Sequence, residues 1–346
     1  MISTNPFRIL ILSAVPAMLC LPVGAQVGAA SGPGGNNPSV GQIALGSLLP
    51  ASVPYKINQG MIQIKVAISD GIPQDAVLAT ALPLTVVSPA LAVKQSLKTT
   101  NPLDLATFLG SVKAIGLASQ SVHVGRLLLS GVPLVQFDLG THLSKKGLAE
   151  GPSVWLGTSA LGGIVTTIDP ERQNIILSPP NTPLPNGCIK VPFELRDGRI
   201  YVQLKINDKQ TAECILDTTA AGTMLPADVC KSLNLTSLAT FATTNTDGKP
   251  IKVSAIEVPQ VALGGLKFKD VQAVYVSEGV DTRPDASAGV LGNDVLLHYR
   301  VTIHYPQRIL AFEPSKTPGA SPTLQSAPGA GLPSPIIGNR PVRRGP

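Results

Sequence analysis

The sequence contains an internal repeat. Residues 53–60 (Val-Pro-Tyr-Lys-Ile-Asn-Gln-Gly) align with residues 191–198 (Val-Pro-Phe-Glu-Leu-Arg-Asp-Gly), at a spacing of 191 − 53 = 138 residues, and the match continues without a gap. Apolar residues recur at every second position in the stretches that follow, namely Ile62, Ile64, Val66 and Ile68 in the first copy and Ile200, Val202, Leu204 and Ile206 in the second. A period of two is typical of a β-strand with one buried face. The repeat therefore predicts two similar β domains in one chain.

The later part of each copy also repeats, at a spacing of 292 − 157 = 135 residues. Residues 155–157 (Trp-Leu-Gly) fall on residues 290–292 (Val-Leu-Gly). Each copy is predicted to form two strands, the second ending at Ala79 or Asp217, then a short helix, more strands, a Leu-Gly turn and a closing strand pair. The short helices are expected at residues 90–97 and 226–233.

Composition supports the all-β prediction. A chain of 346 residues can hold two domains, and its Val, Ile, Leu and Thr are interrupted by 33 Gly and 32 Pro, which suits short strands joined by turns. The Pro-rich residues 178–185 mark the boundary between the copies. The predicted segments are a signal peptide (1–25), a flexible lead-in (26–52), a first domain (53–180), a second domain (181–313) and a disordered tail rich in Pro, Gly and Ser (314–346). On pattern alone, a duplicated β-sandwich without chemistry is the alternative.

The amino terminus predicts export. Residues 1–8 carry one positive charge, residues 9–21 are apolar, and Val23-Gly24-Ala25 supplies the small residues that a signal peptidase needs. We expect cleavage after Ala25 and a secreted or periplasmic protein with no stable membrane insertion after signal removal. A permanent anchor is the alternative, although the apolar run is shorter than the roughly 20 residues of a membrane-spanning helix.

Charge and metal-ligand patterns point to no other class of partner. The net charge is +6, but the basic residues are scattered and interleave with no aromatic cluster, so a nucleic-acid partner is not expected. The four histidines are dispersed and no Cys-x-x-Cys occurs, so neither a metal nor another cofactor is expected. Removal of the signal leaves Cys188, Cys214 and Cys230, which allow at most one internal disulfide.

Residues 215–220 carry the candidate chemistry. They read Ile-Leu-Asp-Thr-Thr-Ala, which resembles the Asp-Thr-Gly-Ala/Ser loop of retropepsin-like aspartyl proteases. Residues 289–296 (Gly-Val-Leu-Gly-Asn-Asp-Val-Leu), the segment 225–229 and the closing hairpin 300–312 resemble that family in the same order. The resemblance implies two β-barrel lobes in tandem, each with one short helix, in a pepsin-like arrangement.

The resemblance also implies a missing group. The family uses two facing aspartates that share one proton, one to activate water and the other to donate to the peptide carbonyl. Asp217 is the candidate catalytic residue, within the loop of Thr218, Thr219 and Ala220, but the aligned position in the first copy is Ala79. Thr219 stands where the family has glycine, so the loop is expected to be reshaped. The alternative for Asp217 is a turn aspartate bonded to local backbone.

A flap over the site is expected from the second copy. Residues 244–249 contain an Asp-Gly pair, Asp247 and Gly248, ahead of an alternating strand pattern, and such a pair favours a hairpin turn. An ordinary surface hairpin has the same pattern. Residues 99–120 of the first copy lack such a turn, which predicts a single flap.

Three functions remain open at this stage. The first is an aspartic endopeptidase that is active only if another chain supplies the second aspartate. The second is a non-catalytic relative that binds a peptide or protein segment in a cleft between the lobes by strand addition. The third is a structural exported β protein.

Overall fold

The computed structural model describes residues 26–27, 39–107, 110–139, 151–244, 249–279, 281 and 285–314. The expected signal peptide, almost all of the expected tail, and Asp247 and Gly248 lie outside these residues. Strands predominate in the described part, which confirms the mostly β prediction. The described strands form three sheets.

The first sheet is built from the amino-terminal part of the chain and has ten strands. They are β1 (Gln26–Val27), β2 (Gln42–Ile43), β4 (Lys56–Asn58), β5 (Met61–Ile68), β6 (Gln74–Leu78), β7 (Thr85–Val87), β8 (Thr99–Thr107), β9 (Gly110–Val124), β10 (Leu127–Gln136) and β11 (Val154–Leu156). Strands β1 and β2 lie within the expected lead-in, and β3 (Ala51–Pro54) lies partly within it. There β1 pairs with β8, β2 pairs with β10, and β3 pairs with a later strand.

The second sheet is built from the carboxy-terminal part and has eight strands. They are β15 (Glu194–Arg196), β16 (Arg199–Ile206), β17 (Gln210–Leu216), β18 (Thr223–Met224), β19 (Ser237–Thr244), β20 (Pro250–Leu263), β21 (Leu266–Glu278) and β22 (Gly289–Leu291). Its order, read from β19, is β19-β20-β21-β18-β22-β17-β16-β15, and the first sheet contains the matching order β8-β9-β10-β7-β11-β6-β5-β4. In both sheets a short strand that ends at the leucine of a Leu-Gly turn pairs in parallel with the strand that ends just before Ala79 or Asp217.

The third sheet joins the two parts of the chain. Its six strands are β3, β12 (Val165–Asp169), β13 (Asn174–Ser178), β14 (Ile189–Pro192), β23 (Tyr299–His304) and β24 (Ile309–Pro314). The central pair is β12 with β23, and the hydroxyls of Thr167 and Thr302 lie 2.8 Å apart across it. Residues on this sheet such as Ile168, Val301 and Phe312 are buried in one apolar core that extends through both parts of the chain. The sheet therefore fixes the first sheet relative to the second.

The helices differ from the prediction in number. The expected ones are present as α1 (Pro89–Lys94) and α3 (Ala227–Ser232), but α2 (Thr158–Leu161) and α4 (Asn293–Leu296) make four short helices in the described residues, not one per lobe. Both extra helices begin after the glycine of a Leu-Gly turn. A Cβ on Gly157 or Gly292 would lie 2.3 Å or 2.5 Å from backbone atoms, so the chain packs too tightly there for another residue.

The first sheet also contains a hairpin in the region 99–120, where the sequence showed no flap turn. Strands β8 and β9 form an antiparallel hairpin in which Thr107 pairs with Gly110. Strands β19 and β20 form the corresponding hairpin of the second sheet. The sequence between β8 and β9 carries no turn signal, and the long β8–β9 ladder, from Thr99 with Leu117 to Thr107 with Gly110, determines the pairing. None of the four described helices is long and apolar enough to span a membrane.

Candidate active site

Asp217 follows directly after β17, where the parallel strand β22 lies beside it. The Asp217 amide donates to the Leu291 carbonyl over 3.0 Å, and the Ala220 amide donates to the Asp217 carbonyl over 3.2 Å, which closes a tight loop. The first sheet repeats this geometry: the Ala79 amide donates to the Leu156 carbonyl over 3.0 Å. Ala79 and Asp217 therefore occupy matching backbone positions.

Two threonines link the matching loops. The Thr80 hydroxyl donates to the Leu216 carbonyl over 2.9 Å and accepts from the Thr218 amide over 3.1 Å. The Thr218 hydroxyl donates to the Leu78 carbonyl over 2.6 Å and accepts from the Thr80 amide over 3.2 Å. All of these groups are buried, so each hydroxyl satisfies two backbone groups of the opposite loop. This exchange places Ala79 and Asp217 as counterparts across the junction.

Thr219 contacts the carboxylate directly. Its amide donates to Asp217 Oδ1 over 2.9 Å, and its hydroxyl donates to the same oxygen. Thr219 is absent from the described non-glycine residues with positive φ, so this loop does not require glycine's backbone freedom. The β-branched residue thus fits the loop and adds a hydrogen bond that glycine could not make.

Burial controls the charge of Asp217. The residue is only 2% exposed, and desolvation raises its pKa from 3.8 to about 6. The hydrogen bonds from Thr219, the positive charge of Arg199 and the Ala220 amide oppose this rise. Among the described residues, no second carboxylate appears as a cause of the shift. Asp217 is therefore a carboxyl in a dry environment at this junction.

The two sides of the junction differ in chemistry. On the first-sheet side, a buried apolar cluster surrounds Ala79 and includes Met61, Leu82, Leu84 and Trp155. On the second-sheet side, Tyr201, Ile215 and Ala288 pack with Ala81 of the first loop. Trp155 is 2% exposed, as expected for a core residue.

Asn293 ties the loop to the first sheet. This buried side chain donates to the Thr218 carbonyl over 2.8 Å and to the Gly60 carbonyl over 2.7 Å. Gly60 has φ +78, and a Cβ there would meet the Ala221 Cβ at 2.3 Å, so the backbone segments at Gly60 and Ala221 approach closely. Sequence reasoning did not single out Asn293, although it lies within the segment 289–296 that carried the family resemblance.

The expected flap turn cannot be placed. Asp247 and Gly248 lie outside the described residues, and β19 and β20 lead into the segment that contains them. No described group of His, Cys, Asp or Glu residues has the arrangement of a metal site.

A comparison with protein families identifies the class of the second part. Residues 202–295 match the family model described as aspartyl protease. The matched range runs from β16 through the Asp217 loop to α4, so it covers the Asp217 side of the junction. The chain therefore contains an aspartyl protease family domain. A search of curated proteins found no match.

The raised pKa of Asp217 predicts a pH-dependent stability. Because the folded state holds this proton more tightly than the unfolded chain, the contribution to the free energy of unfolding is full below pH 3.8 and declines until about pH 6. A shift of about 2 pKa units corresponds to about 3 kcal/mol. Denaturant unfolding at pH 4 and pH 7.5 measures how much the free energy of unfolding declines between the two. Asp217→Asn should lose the part of this decline that Asp217 contributes. Burial also raises the Asp294 pKa to about 6, so Asp294→Asn should lose a separate decline of the same sign. An unchanged pH dependence of stability in Asp217→Asn would contradict the raised pKa of Asp217.

Proposed function

We propose that this chain is an exported, aspartyl-protease-like protein with two tandem lobes, which binds an extended peptide segment between them and does not cleave it as a monomer. The observation that carries the proposal is the threonine exchange between Thr80 and Thr218, because it sets Ala79, not an aspartate, opposite Asp217. The family match over residues 202–295 supports the protease ancestry.

The chemistry supports loss of turnover. Peptide hydrolysis by an aspartate-activated water needs one ionised carboxylate as base and one protonated carboxyl as acid. Asp217 can supply either role but not both at once. Ala79 has no titratable group, and apolar side chains such as Met61 and Trp155 pack around it. The site therefore retains the frame of the catalytic loop and half of its chemistry.

The location of the loop supports peptide binding. Asp217, Thr218 and Thr219 lie where the first and second sheets meet, and the contacts of Asn293 and Thr80 hold that junction together. Each sheet also extends a long hairpin, β8–β9 and β19–β20. Among the described residues β19 is an edge strand, whereas β8 already pairs with β1. The backbone groups of an edge strand can pair with an extended peptide, which gives binding without a reaction. The tandem-lobe arrangement is supported by the equal strand order of the two sheets.

The test uses the exported protein. Its intact mass should equal that of a chain that begins at Gln26, since cleavage is expected after Ala25. A statine-containing peptide should bind in calorimetry, while a peptide library should show no turnover above that of Asp217→Asn. Turnover that rises with protein concentration and disappears in Asp217→Asn would instead show that a second chain supplies the missing aspartate. Turnover by dilute monomer, or absence of peptide binding, would overturn the proposal.

A further inference from the structure

Arg199 is a buried cation with one edge unused. The residue is 2% exposed, and its Nη1 donates to Asp285. Its Nε and Nη2 are buried and have no partner with hydrogen-bond geometry. The Tyr201 side chain lies nearby: burial raises the Tyr201 pKa, and its interaction with Arg199 opposes that rise without a well-formed hydrogen bond. Nε and Nη2 form one edge of the planar guanidinium, and their parallel N–H groups match the two oxygens of a carboxylate.

The strand register places Arg199 beside Asp217. In the β16–β17 ladder Tyr201 pairs with Ile215, so two residues further along Arg199 lies across from Asp217. The positive charge of Arg199 acts on the Asp217 carboxyl. Arg199 begins β16 immediately after the turn of Asp197 and Gly198, both of which have positive φ. The cation is thus set at the junction by the hairpin itself.

The first sheet has an apolar residue at the position that corresponds to Arg199. Residue 61, which lies 138 positions before Arg199, is Met61. In the β5–β6 ladder Gln63 pairs with Val77, so Met61 lies across from Ala79, and both belong to one apolar cluster. The fold therefore accepts an apolar pair here. The second sheet instead has a cation next to a carboxylate.

Such a cation carries a cost unless something pairs with it. A buried polar group without a hydrogen bond destabilises the fold, and a charged group does so more strongly. Asp285, whose side chain is 25% exposed, uses only one of the three guanidinium nitrogens. A methionine would fill the same space without this cost. The unused edge therefore indicates a role in recognising a ligand.

We propose that Arg199 binds a carboxylate of the peptide ligand, so that the cleft selects a peptide with an acidic group beside Asp217. The carboxylate comes from an acidic side chain or from a free carboxy terminus. The inference rests on the proposed peptide binding and deepens it. On the other side of the junction, the cluster around Met61 favours an apolar neighbour in the ligand.

A bound carboxylate near Asp217 would also share its proton. Two carboxylates this close cannot both be ionised at low cost, so binding should take up a proton and strengthen below pH 6. The other charged or titratable groups around the pair are Asp285 on Nη1 of Arg199, Tyr201, and Arg196, whose guanidinium lies 3.7 Å from the Tyr201 ring centroid. Glu194 and Glu213 pair with Arg196 at the surface.

The experiment compares matched peptides. Blocked octapeptides carrying one glutamate, their glutamine counterparts, and a set with free or amidated carboxy termini are titrated at pH 5 and pH 7.5. For wild type we expect at least about tenfold tighter binding of one carboxylate form, equivalent to about 1.4 kcal/mol. The glutamate and free-terminus sets separate the two sources. Arg199→Met should abolish the preference. Arg196→Met, which removes an exposed arginine nearby, should keep it.

A direct measurement covers the case in which Arg199→Met fails to fold. Propionate is titrated into wild-type protein with ¹⁵N-labelled arginine, and the Arg199 Nε resonance should shift. A shift with propionate, together with no binding of any octapeptide, would support the carboxylate site and reject the proposed function. Equal binding of carboxylate and amide peptides, or no Nε shift, would overturn the inference while peptide binding itself stands.

Discussion

Replacing Ala79 by aspartate and Thr219 by glycine should produce a peptidase that works at acidic pH, from a protein that we propose has no turnover as a monomer. The threonine exchange already holds position 79 opposite Asp217, so the new carboxyl would face the old one and share its proton. A positioned general acid or base contributes about 10²–10⁴-fold, so we expect a rise of at least about 10²-fold over wild type. Release of a fluorogenic peptide, inhibited by a statine peptide, measures it.

Two controls define this result. The triple variant that also carries Asp217→Asn should return to the background rate, and Thr219→Gly alone should remain inactive. Ala79 is fully buried in an apolar cluster, so Ala79→Asp should lower the melting temperature, which calorimetry must report for each variant. A folded double variant without activity would contradict the role of position 79. Robust activity of wild-type monomer that depends on Asp217 would contradict the need for two aspartates.

Replacing either linking threonine by valine should strongly destabilise the fold. Thr218→Val keeps the shape but leaves the Leu78 carbonyl and the Thr80 amide buried without their partner. Each lost partner costs about 1–3 kcal/mol, so we expect a loss of about 2–5 kcal/mol in denaturant unfolding. Thr80→Val should cost a similar amount, and the double variant less than the sum, because both changes break one network.

A matched control comes from the six-stranded sheet. Thr302 also faces a threonine from the other part of the chain, but the two residues share a single hydroxyl contact. Thr302→Val leaves one partner unsatisfied and not two, so it should cost about half as much as Thr218→Val. Thr218→Ser, which keeps the hydroxyl, should retain most of the stability. Equal costs for Thr218→Val and Thr302→Val would contradict the special role of the loop exchange.

Much of this architecture could be predicted from the sequence because it is encoded locally. Apolar alternation defined strands such as β5 and β16, and the helix of residues 89–94 begins at Ser88, whose hydroxyl accepts from the Leu91 amide. The repeat aligned Ala79 with Asp217, and the structure places them at matching backbone positions.

The remaining features depend on contacts between distant residues. Arg199 became a site residue only once the β16–β17 register was known, because the hairpin length decides which residue lies across from Asp217. Asn293 acts on Gly60, which is 233 positions away. The β8–β9 hairpin carries no turn signal and is determined by its long ladder. Sequence patterns report local preference and burial, so they do not reveal such pairings.

The six-stranded sheet has a consequence for the order of folding. Its central strands are about 135 residues apart in the chain, and its edge strand β14 pairs with β24, the last strand described. Contacts between distant residues close slowly because the loop entropy must be lost first. During synthesis the early hairpins can form while the late strands β23 and β24 have not yet been made. The sheet that joins the two parts of the chain, and with it the junction that holds Asp217, therefore assembles only once β23 and β24 are available.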